Sequence, residues 1–224
     1  MQFDAVLFDC DGVLVDSETI ATQALHRSLQ DIGLDFTVEH VFATFTGQSF
    51  AHCVAIIEDY MGRPIPPEFV PNNRTYFREL LEKELVPMPG IKEVLSSLQT
   101  PYAVVTNSRK RELDLKLTRT GINEFFPMER RFDTETVGVA KPDPEIYKRA
   151  AAAMNVDITR CLILEDSFPG MAAGAGSGAT LWGYCPHLTQ EQLDEFGVTQ
   201  VVSDWAEFAE LFHQANTGNL KRNS

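Results

Sequence analysis

Two aspartates, Asp9 and Asp11, stand two residues apart and are followed by Gly12, directly after an apolar run that begins at Phe3. A strand that ends at this point can direct both carboxylates towards one cleft, where they could take part in catalysis. The alternative is a strand-end turn with two solvated aspartates, because aspartate and glycine are also common turn residues. The pattern by itself leaves both interpretations open.

Three polar residues, Thr106, Asn107 and Ser108, follow a second apolar run, and a helical pattern begins near Arg109. The hydroxyl groups and the backbone N–H groups at such a helix start could bind phosphate oxygens. Considered alone, the same residues are more typical of a helix N-cap.

Lys141 precedes two prolines in the segment GVAKPDP, residues 138–144. The prolines restrict the backbone ahead of a helix predicted over residues 145–154. A stiff backbone can hold the lysine ammonium group in one place. The alternative is a solvated lysine in a turn, since most lysines lie on the protein surface.

Two adjacent acids, Glu165 and Asp166, follow a third apolar run. Acids that leave a buried strand are costly unless a cationic group meets them. Mg²⁺ takes oxygen ligands and keeps several waters, so it suits carboxylates delivered from separate strand ends. The alternative for Asp166 is a helix-capping role.

These polar groups follow short β-rich runs, and the runs alternate with helical patterns. The alternation predicts an α/β fold, a doubly wound parallel sheet with helices on both faces. In open sheets of this kind, ligands bind beyond the carboxyl ends of the strands, which is where the polar groups fall. The predicted strands are Phe3–Asp9, Tyr102–Thr106, Cys161–Glu165, Ala179–Tyr184 and Gln200–Val202.

The pattern changes between residues 17 and 87, where helical periodicity continues without a convincing strand. We therefore expect a helical cap over residues 17–87, inserted into a core formed by residues 1–16 and 88–215. The polar segment 216–224 lacks periodicity and is predicted to be disordered.

The amino-acid composition limits the classes of molecule that the protein is expected to bind. The chain has 32 acidic against 19 basic residues and a formal net charge of -13, which disfavours nucleic acid and anionic membrane surfaces. A small anionic substrate stays open, because a bound cation can reverse the field inside one cleft. No apolar run reaches ~18 residues, the N-terminus lacks the marks of a signal peptide, and the scattered cysteines fit reduced thiols, so we expect a cytoplasmic protein.

The polar groups occur in the order DCDG, TNS, KPDP and ED. In this order the sequence resembles the haloacid dehalogenase superfamily, in particular its β-phosphoglucomutase-like phosphatases and mutases, which carry a helical cap after the first motif. The resemblance extends from FDCDGVLVDSE through GVAKPDPEIY to LILEDSFPGMAAGAGSGA. It implies a Rossmann-like core with an inserted helical cap. It also implies a Mg²⁺-dependent hydrolase of small phosphate monoesters, with sugar phosphates as the default substrates.

The resemblance also implies residue roles. Asp9 would attack phosphorus and form an aspartyl-phosphate, Asp11 would serve as general acid and base, and Gly12 would leave room for the turn and the substrate. The groups expected to hold the phosphoryl oxygens are Thr106, the backbone of Asn107, and Lys141. The ligands expected for Mg²⁺ are Asp9, the carbonyl of Asp11, Asp166 and Glu165.

Two other functions use related residues. A signalling receiver domain also phosphorylates an aspartate, but there the aspartate ends a middle strand, whereas Asp9 ends the first. A phosphohexomutase of the β-phosphoglucomutase type would share the core motifs, but its relatives carry a histidine and an arginine where this chain has Ala21 and Phe50, which favours hydrolysis. The residues expected to contribute to cap specificity are Gln48, Ser49, Phe50 and Arg74. A monomer is expected.

Overall fold

The chain forms two compact units. The computed structural model describes residues 3–48, 50–184 and 188–217. Asp16–Val86 is one unit, and the described residues before and after it form the other. The unit Asp16–Val86 is therefore an insertion, because the chain leaves the other unit after Val15 and returns to it at Pro87.

The unit Asp16–Val86 is helical over its described residues. The Asp16 carboxylate caps its first helix by accepting a hydrogen bond from the Thr19 N–H (3.1 Å), which satisfies a backbone donor that lacks a partner within the helix. The helices are α1 (Ser17–Asp31), α2 (Val38–Phe45), α3 (Phe50–Met61) and α4 (Phe69–Glu84). Their shared core contains Leu25, Leu29, Val41, Phe45, Cys53, Ile57 and Phe69.

Over its described residues, the larger unit is built on a six-stranded sheet in the order β3-β2-β1-β4-β5-β6. All of its neighbouring strands run parallel. The strand order reverses at β1, so the crevice beside its carboxyl end is where ligands bind in such sheets. The strands are β1 (Ala5–Phe8), β2 (Tyr102–Val105), β3 (Arg131–Phe132), β4 (Cys161–Glu165), β5 (Thr180–Tyr184) and β6 (Gln200–Val202).

Helices cover both faces of this sheet, and alternate strand side chains fill the two cores. The helices are α5 (Ile91–Ser97), α6 (Lys110–Thr120), α7 (Thr134–Val137), α8 (Glu145–Ala153), α9 (Phe168–Ser177), α10 (Gln190–Glu195) and α11 (Trp205–Thr217). On one face, Leu7 and Ile163 pack with Ala150 of α8 and Ala173 of α9. On the other face the core is aromatic, and Phe8 meets Trp205 of α11 with ring centroids 5.4 Å apart.

The predicted fold class is confirmed, with two corrections at the level of elements. Sequence reasoning missed β3, whose two residues pair with Val104 and Val105 of β2. The last helix extends through Thr217, so residues 216 and 217, predicted to be disordered, are helical; the rest of that segment lies outside the described residues. Among the described helices, none has the length and apolar character needed to cross a membrane.

Candidate active site

The loop after β1 holds Asp9 and Asp11 in a tight turn. The Asp9 N–H extends the strand pairing by donating to the Leu164 carbonyl (3.0 Å), and the Leu14 N–H donates back to the Cys10 carbonyl (2.9 Å). Asp9 is buried, whereas the side chain of Asp11 is 37% exposed. The two acids follow the same strand, but the Asp9 side chain is buried and the Asp11 side chain is partly exposed to solvent.

Gly12 permits a close approach between this loop and the loop after β4. Its φ is +74°, a conformation that favours glycine. A Cβ atom at this position would lie 1.8 Å from Oδ2 of Asp166. Both observations require glycine in this turn, and the room that Gly12 is expected to leave for the substrate stays a prediction.

Lys141 joins two buried carboxylates. Its Nζ donates to Oδ1 of Asp9 and, at 2.5 Å, to Oε1 of Glu165. The side chains of Lys141 and Glu165 are 3% and 0% exposed. We call Asp9, Lys141, Glu165 and Tyr147, whose contact is described below, the Lys141 cluster. It brings together residues from the first, third and fourth predicted motifs.

Burial and charge act against each other in this cluster. Burial raises the pKa of Asp9 to about 7, and the nearby Lys141 ammonium opposes the shift. Burial lowers the pKa of Lys141, but the Asp9 and Glu165 carboxylates raise it by more, so that it lies well above its ordinary value. Lys141 is therefore a permanent cation beside Asp9, and a second cation would further favour the Asp9 carboxylate.

Asn107 fixes the backbone that carries Lys141. Its side-chain Nδ2 donates to the Lys141 carbonyl (3.1 Å), and its Oδ1 accepts from the Lys141 N–H (2.7 Å). The two bonds hold the segment after β2 to the segment that carries the lysine. The side chain of Asn107 thus positions Lys141, a role separate from the backbone contact expected from sequence.

Glu165 ends β4, and both of its carboxylate oxygens accept hydrogen bonds. Oε1 accepts from Lys141 and from the Tyr147 hydroxyl group (2.5 Å). Oε2 accepts from the Asp166 N–H (3.2 Å) and the Ser167 hydroxyl group (3.2 Å). Gly170 makes room for this arrangement, because a Cβ there would lie 2.0 Å from the Glu165 carboxylate. Burial raises the pKa of Tyr147 well above its ordinary value, so its hydroxyl group stays a donor.

Asp9, Glu165 and Asp166 could together hold a metal ion. Each offers a carboxylate oxygen, and the three oxygens lie within 4.8 Å of one another. A hard divalent cation prefers oxygen ligands, and three carboxylates beside one ammonium group leave negative charge to be offset. The donor set therefore fits such a cation. Glu165 fits it least, since both of its oxygens already accept hydrogen bonds from the protein.

Lys116 forms a second buried ion-pair group, which sequence reasoning missed. Its Nζ lies 2.8 Å from Oδ1 of Asp11, 2.5 Å from Oε1 of Glu112 and 2.7 Å from Oγ of Ser108. The Lys116 side chain is 2% exposed. We call these four residues the Lys116 cluster. Burial lowers the pKa of Lys116, but the Asp11 carboxylate and its neighbours raise it by more.

The sequence did contain a signal for Lys116. The buried residues of α6 recur at helical spacing and place this lysine on the inward face of the helix. They are Leu113, Lys116, Leu117 and Thr120. A lysine within an apolar stripe indicates a buried partner, because an unpaired buried charge is costly.

The predicted phosphate-binding hydroxyl group of Thr106 lies at the end of β2. Thr106 is buried, its N–H donates to the Phe132 carbonyl (2.9 Å), and its Oγ1 accepts from the Ser108 N–H (3.0 Å). The Ser108 hydroxyl group lies within hydrogen-bond distance of Asp11 (3.3 Å). Ser108 thus connects the end of β2 to the general acid–base candidate.

The residues expected to set specificity belong to the other unit. Gln48, Phe50 and Arg74 are exposed there, and Ser49 lies outside the described residues. Their role stays a prediction.

Of the cysteines, Cys10, Cys53 and Cys161 are buried and free of disulfide bonds, and Cys185 lies outside the described residues. Burial raises the pKa of Cys10, between the two aspartates, well above its ordinary value, which keeps its thiol protonated.

Comparison with known proteins finds one hydrolase family and phosphatases among the relatives of this chain. A family described as haloacid dehalogenase-like hydrolase matches residues 3–178. The 6-phosphogluconate phosphatase of Escherichia coli is 30% identical over 83% of this chain and 85% of its own length. The phosphorylated carbohydrates phosphatase of Thermotoga maritima is 27% identical, over 78% of this chain and 82% of its own length.

A solved structure shares the fold closely. The HAD family hydrolase from Deinococcus radiodurans is 35% identical and superimposes with a TM-score of 0.83, covering 98% of each chain. That crystal structure contains bound phosphate and sodium.

Proposed function

The chain belongs to the haloacid dehalogenase-like hydrolases, and from this premise we propose that it hydrolyses small phosphate monoesters through an aspartyl-phosphate on Asp9. One observation carries the proposal. The ammonium group of Lys141 contacts Asp9 in a buried site that Asp166 also faces. A nucleophilic carboxylate and donors for a metal ion are thus available at the ends of the adjacent strands β1 and β4, and the loop before α8 adds a fixed cation for the phosphoryl oxygens.

In the first step, a carboxylate oxygen of Asp9 attacks phosphorus, and the bond between phosphorus and the ester oxygen breaks. The departing oxygen takes the proton of the Asp11 carboxyl group and leaves as an alcohol. Lys141, Thr106 and the Asn107 backbone hold the phosphoryl oxygens. Their task is electrostatic, because charge on the transferring group must be stabilised throughout.

In the second step, water attacks the phosphorus of the aspartyl-phosphate and gives a proton to the Asp11 carboxylate. The bond between phosphorus and the Asp9 oxygen breaks, inorganic phosphate leaves, and the Asp9 carboxylate is regenerated. Asp11 returns to its protonated form, so the cycle closes without a further reactant.

Mg²⁺ is the cation we assign to the acidic group, held by Asp9, Asp166 and the Asp11 carbonyl, with Glu165 beside them. When bound, it offsets the repulsion between an anionic nucleophile and an anionic phosphate. The hydrogen bonds of Glu165 favour a supporting role, in which this acid holds Lys141 and the turn after β4.

Relatives indicate the substrate class. The two named phosphatases act, by their names, on phosphogluconate and on phosphorylated carbohydrates. Phosphorylated sugars and sugar acids are therefore the substrates we assign. The absence of the mutase-type histidine and arginine at Ala21 and Phe50 favours hydrolysis over isomerisation.

The test is a panel of phosphate monoesters, including 6-phosphogluconate and β-glucose 1-phosphate with a trace of glucose 1,6-bisphosphate. Inorganic phosphate and glucose 6-phosphate are followed together. We expect phosphate release from at least one phosphorylated sugar or sugar acid, loss of turnover with a chelator, and recovery with Mg²⁺. Intact-mass measurement should detect a transient added phosphate on the wild type and none on Asp9→Asn.

Three results would contradict the proposal. Sustained formation of glucose 6-phosphate with little inorganic phosphate would identify a mutase. Full turnover in metal-free enzyme, or phosphate on another residue, would refute the assigned site. Asp9→Asn is the control variant, since an amide is a far weaker nucleophile and both turnover and labelling should disappear.

A further inference from the structure

Lys116 makes three polar contacts with its three N–H donors. The acceptors are the Asp11 carboxylate, the Glu112 carboxylate and the Ser108 hydroxyl group, at 2.8, 2.5 and 2.7 Å. A lysine ammonium group has three donors and no acceptor. Its hydrogen-bonding capacity is therefore matched by these neighbours, which fixes the ammonium group in one place.

We propose that Lys116 is a positioning residue, which holds the carboxyl group of Asp11 in the orientation from which it exchanges protons with the substrate oxygen and with water. This inference rests on the proposed function, because it presumes that Asp11 is the general acid and base. Both oxygens of Asp11 lie within 2.8 Å of Nζ of Lys116. The contact therefore determines where the carboxyl group lies.

The geometry suits a group that changes its protonation state. A carboxylate accepts from the ammonium group through either oxygen, and a protonated carboxyl group still offers its carbonyl oxygen to the same donor. Lys116 can thus hold Asp11 before and after proton transfer. The Asp11 side chain is 37% exposed, which leaves room for an approaching water.

Two members of the cluster that contact Asp11, Ser108 and Lys116, are themselves tied down by hydrogen bonds. Ser108 is buried, and its N–H donates to Oγ1 of Thr106 (3.0 Å). Lys116 is within a helix whose Thr120 hydroxyl group donates to the Lys116 carbonyl (2.7 Å). A side chain on regular structure holds a catalytic group more accurately than one on a loop.

The experiment separates the two chemical steps with p-nitrophenyl phosphate and Mg²⁺. Its leaving group needs no proton donor, so phospho-enzyme formation does not depend on Asp11, whereas hydrolysis of the phospho-enzyme does. For Lys116→Met we expect a nitrophenol burst within about 2-fold of wild type. We expect steady-state turnover to fall roughly 10- to 100-fold, below the ~10²–10⁴-fold typical of a general acid–base group.

A double-mutant cycle with Asp11→Asn tests whether Lys116 acts through Asp11. In the Asp11→Asn background, Lys116→Met should change phospho-enzyme hydrolysis by less than about 3-fold, because coupled residues are not additive. Equal losses in both backgrounds, or a burst slowed as much as turnover, would mean that Lys116 only supports the structure, and would overturn the inference.

Controls keep the outcomes distinct. Lys110→Met removes a lysine of the same helix whose side chain is 44% exposed and pairs with Asp114 at 2.7 Å, and it should leave both phases unchanged. Lys116→Gln, which keeps N–H donors, is measured in the same way if Lys116→Met does not fold. Wild-type turnover in Asp11→Asn would refute the proposed function itself. A large loss in Asp11→Asn with none in either Lys116 variant would refute only the role of Lys116.

Discussion

Two buried lysines serve the two aspartates of the same loop, and their surroundings differ. Lys141 meets Asp9 and Glu165, whose side chains are 8% and 0% exposed. Lys116 meets Asp11 and Glu112, whose side chains are 37% and 43% exposed. A nucleophile benefits from a site with little water, whereas an acid–base group must exchange protons with water. The difference in exposure follows the difference in assigned task.

The difference in exposure between the two clusters should also affect how much each lysine contributes to stability. Removing one member of a buried ion pair leaves an uncompensated charge in a medium of low polarity, whereas a partly exposed partner regains water. Loss of Lys141 should therefore affect stability and activity together. Loss of Lys116 should affect stability much less, because the Asp11 and Glu112 carboxylates left behind are partly exposed.

The largest effect is expected for Lys141→Met. It leaves Asp9 and Glu165 facing each other, which should lower the free energy of unfolding by roughly 3–5 kcal/mol. Turnover should fall by about 10²–10³-fold or more, since a donor to the transferring group is lost. Urea unfolding and steady-state kinetics measure the two effects, and Mg²⁺ should restore part of the stability.

Lys148→Met is the matched control, because Lys148 is on the adjoining helix, has a 40% exposed side chain and pairs with Glu145 at 3.4 Å. It should unfold and turn over substrate as the wild type does. If Lys141→Met had no greater effect than this control, the Lys141 cluster would not be the centre of the site.

The sequence predicted the Lys141 cluster better than the Lys116 cluster, for a physical reason. Asp9 and Glu165 follow predicted strands, and residues that follow the strands of a parallel sheet meet at one edge. Lys141 follows no predicted strand, and its place beside them was implied by the resemblance to the haloacid dehalogenase superfamily. Lys116 lies within a helix and reaches Asp11 across 105 positions of the chain. A single lysine is ordinarily read as a surface residue.

The edge strand β3 escaped prediction for a related reason. It has two residues, Arg131 and Phe132, and its pairing is with β2. Two residues are too few to show the alternation of apolar and polar residues that predicts a strand. The segment is a strand because it pairs with β2, a contact that the local sequence does not specify. The contact of Tyr147 with Glu165 likewise depends on how α8 packs, which periodicity does not specify.

An intermediate effect is expected for Tyr147→Phe, which deletes the 2.5 Å hydrogen bond to Glu165 and keeps the ring in place. A hydrogen bond to a charged group contributes about 1.5–3 kcal/mol. The free energy of unfolding should therefore decrease by an amount in that range. Turnover should fall by less than for Lys141→Met, because Lys141 still contacts Asp9 and Glu165. Tyr102→Phe is the control, since its hydroxyl group meets a neutral carbonyl, that of Leu95, at 3.4 Å. A larger loss in Tyr102→Phe would contradict the assignment.

The smallest effect is expected for Glu112→Gln, which tests whether Lys116 needs its second carboxylate partner. Glu112 pairs with Lys116 one helical turn away, and its own side chain is 43% exposed, so loss of its charge should cost about 1 kcal/mol or less. Lys116 keeps Asp11 and Ser108 as acceptors. Turnover and phospho-enzyme hydrolysis should therefore stay within about 2-fold of wild type, and the free energy of unfolding measured in urea should change by about 1 kcal/mol or less. A loss as large as that of Lys116→Met would show that Lys116 depends on Glu112 for its position, whereas near-wild-type kinetics would leave the contact with Asp11 as the one that matters for the reaction.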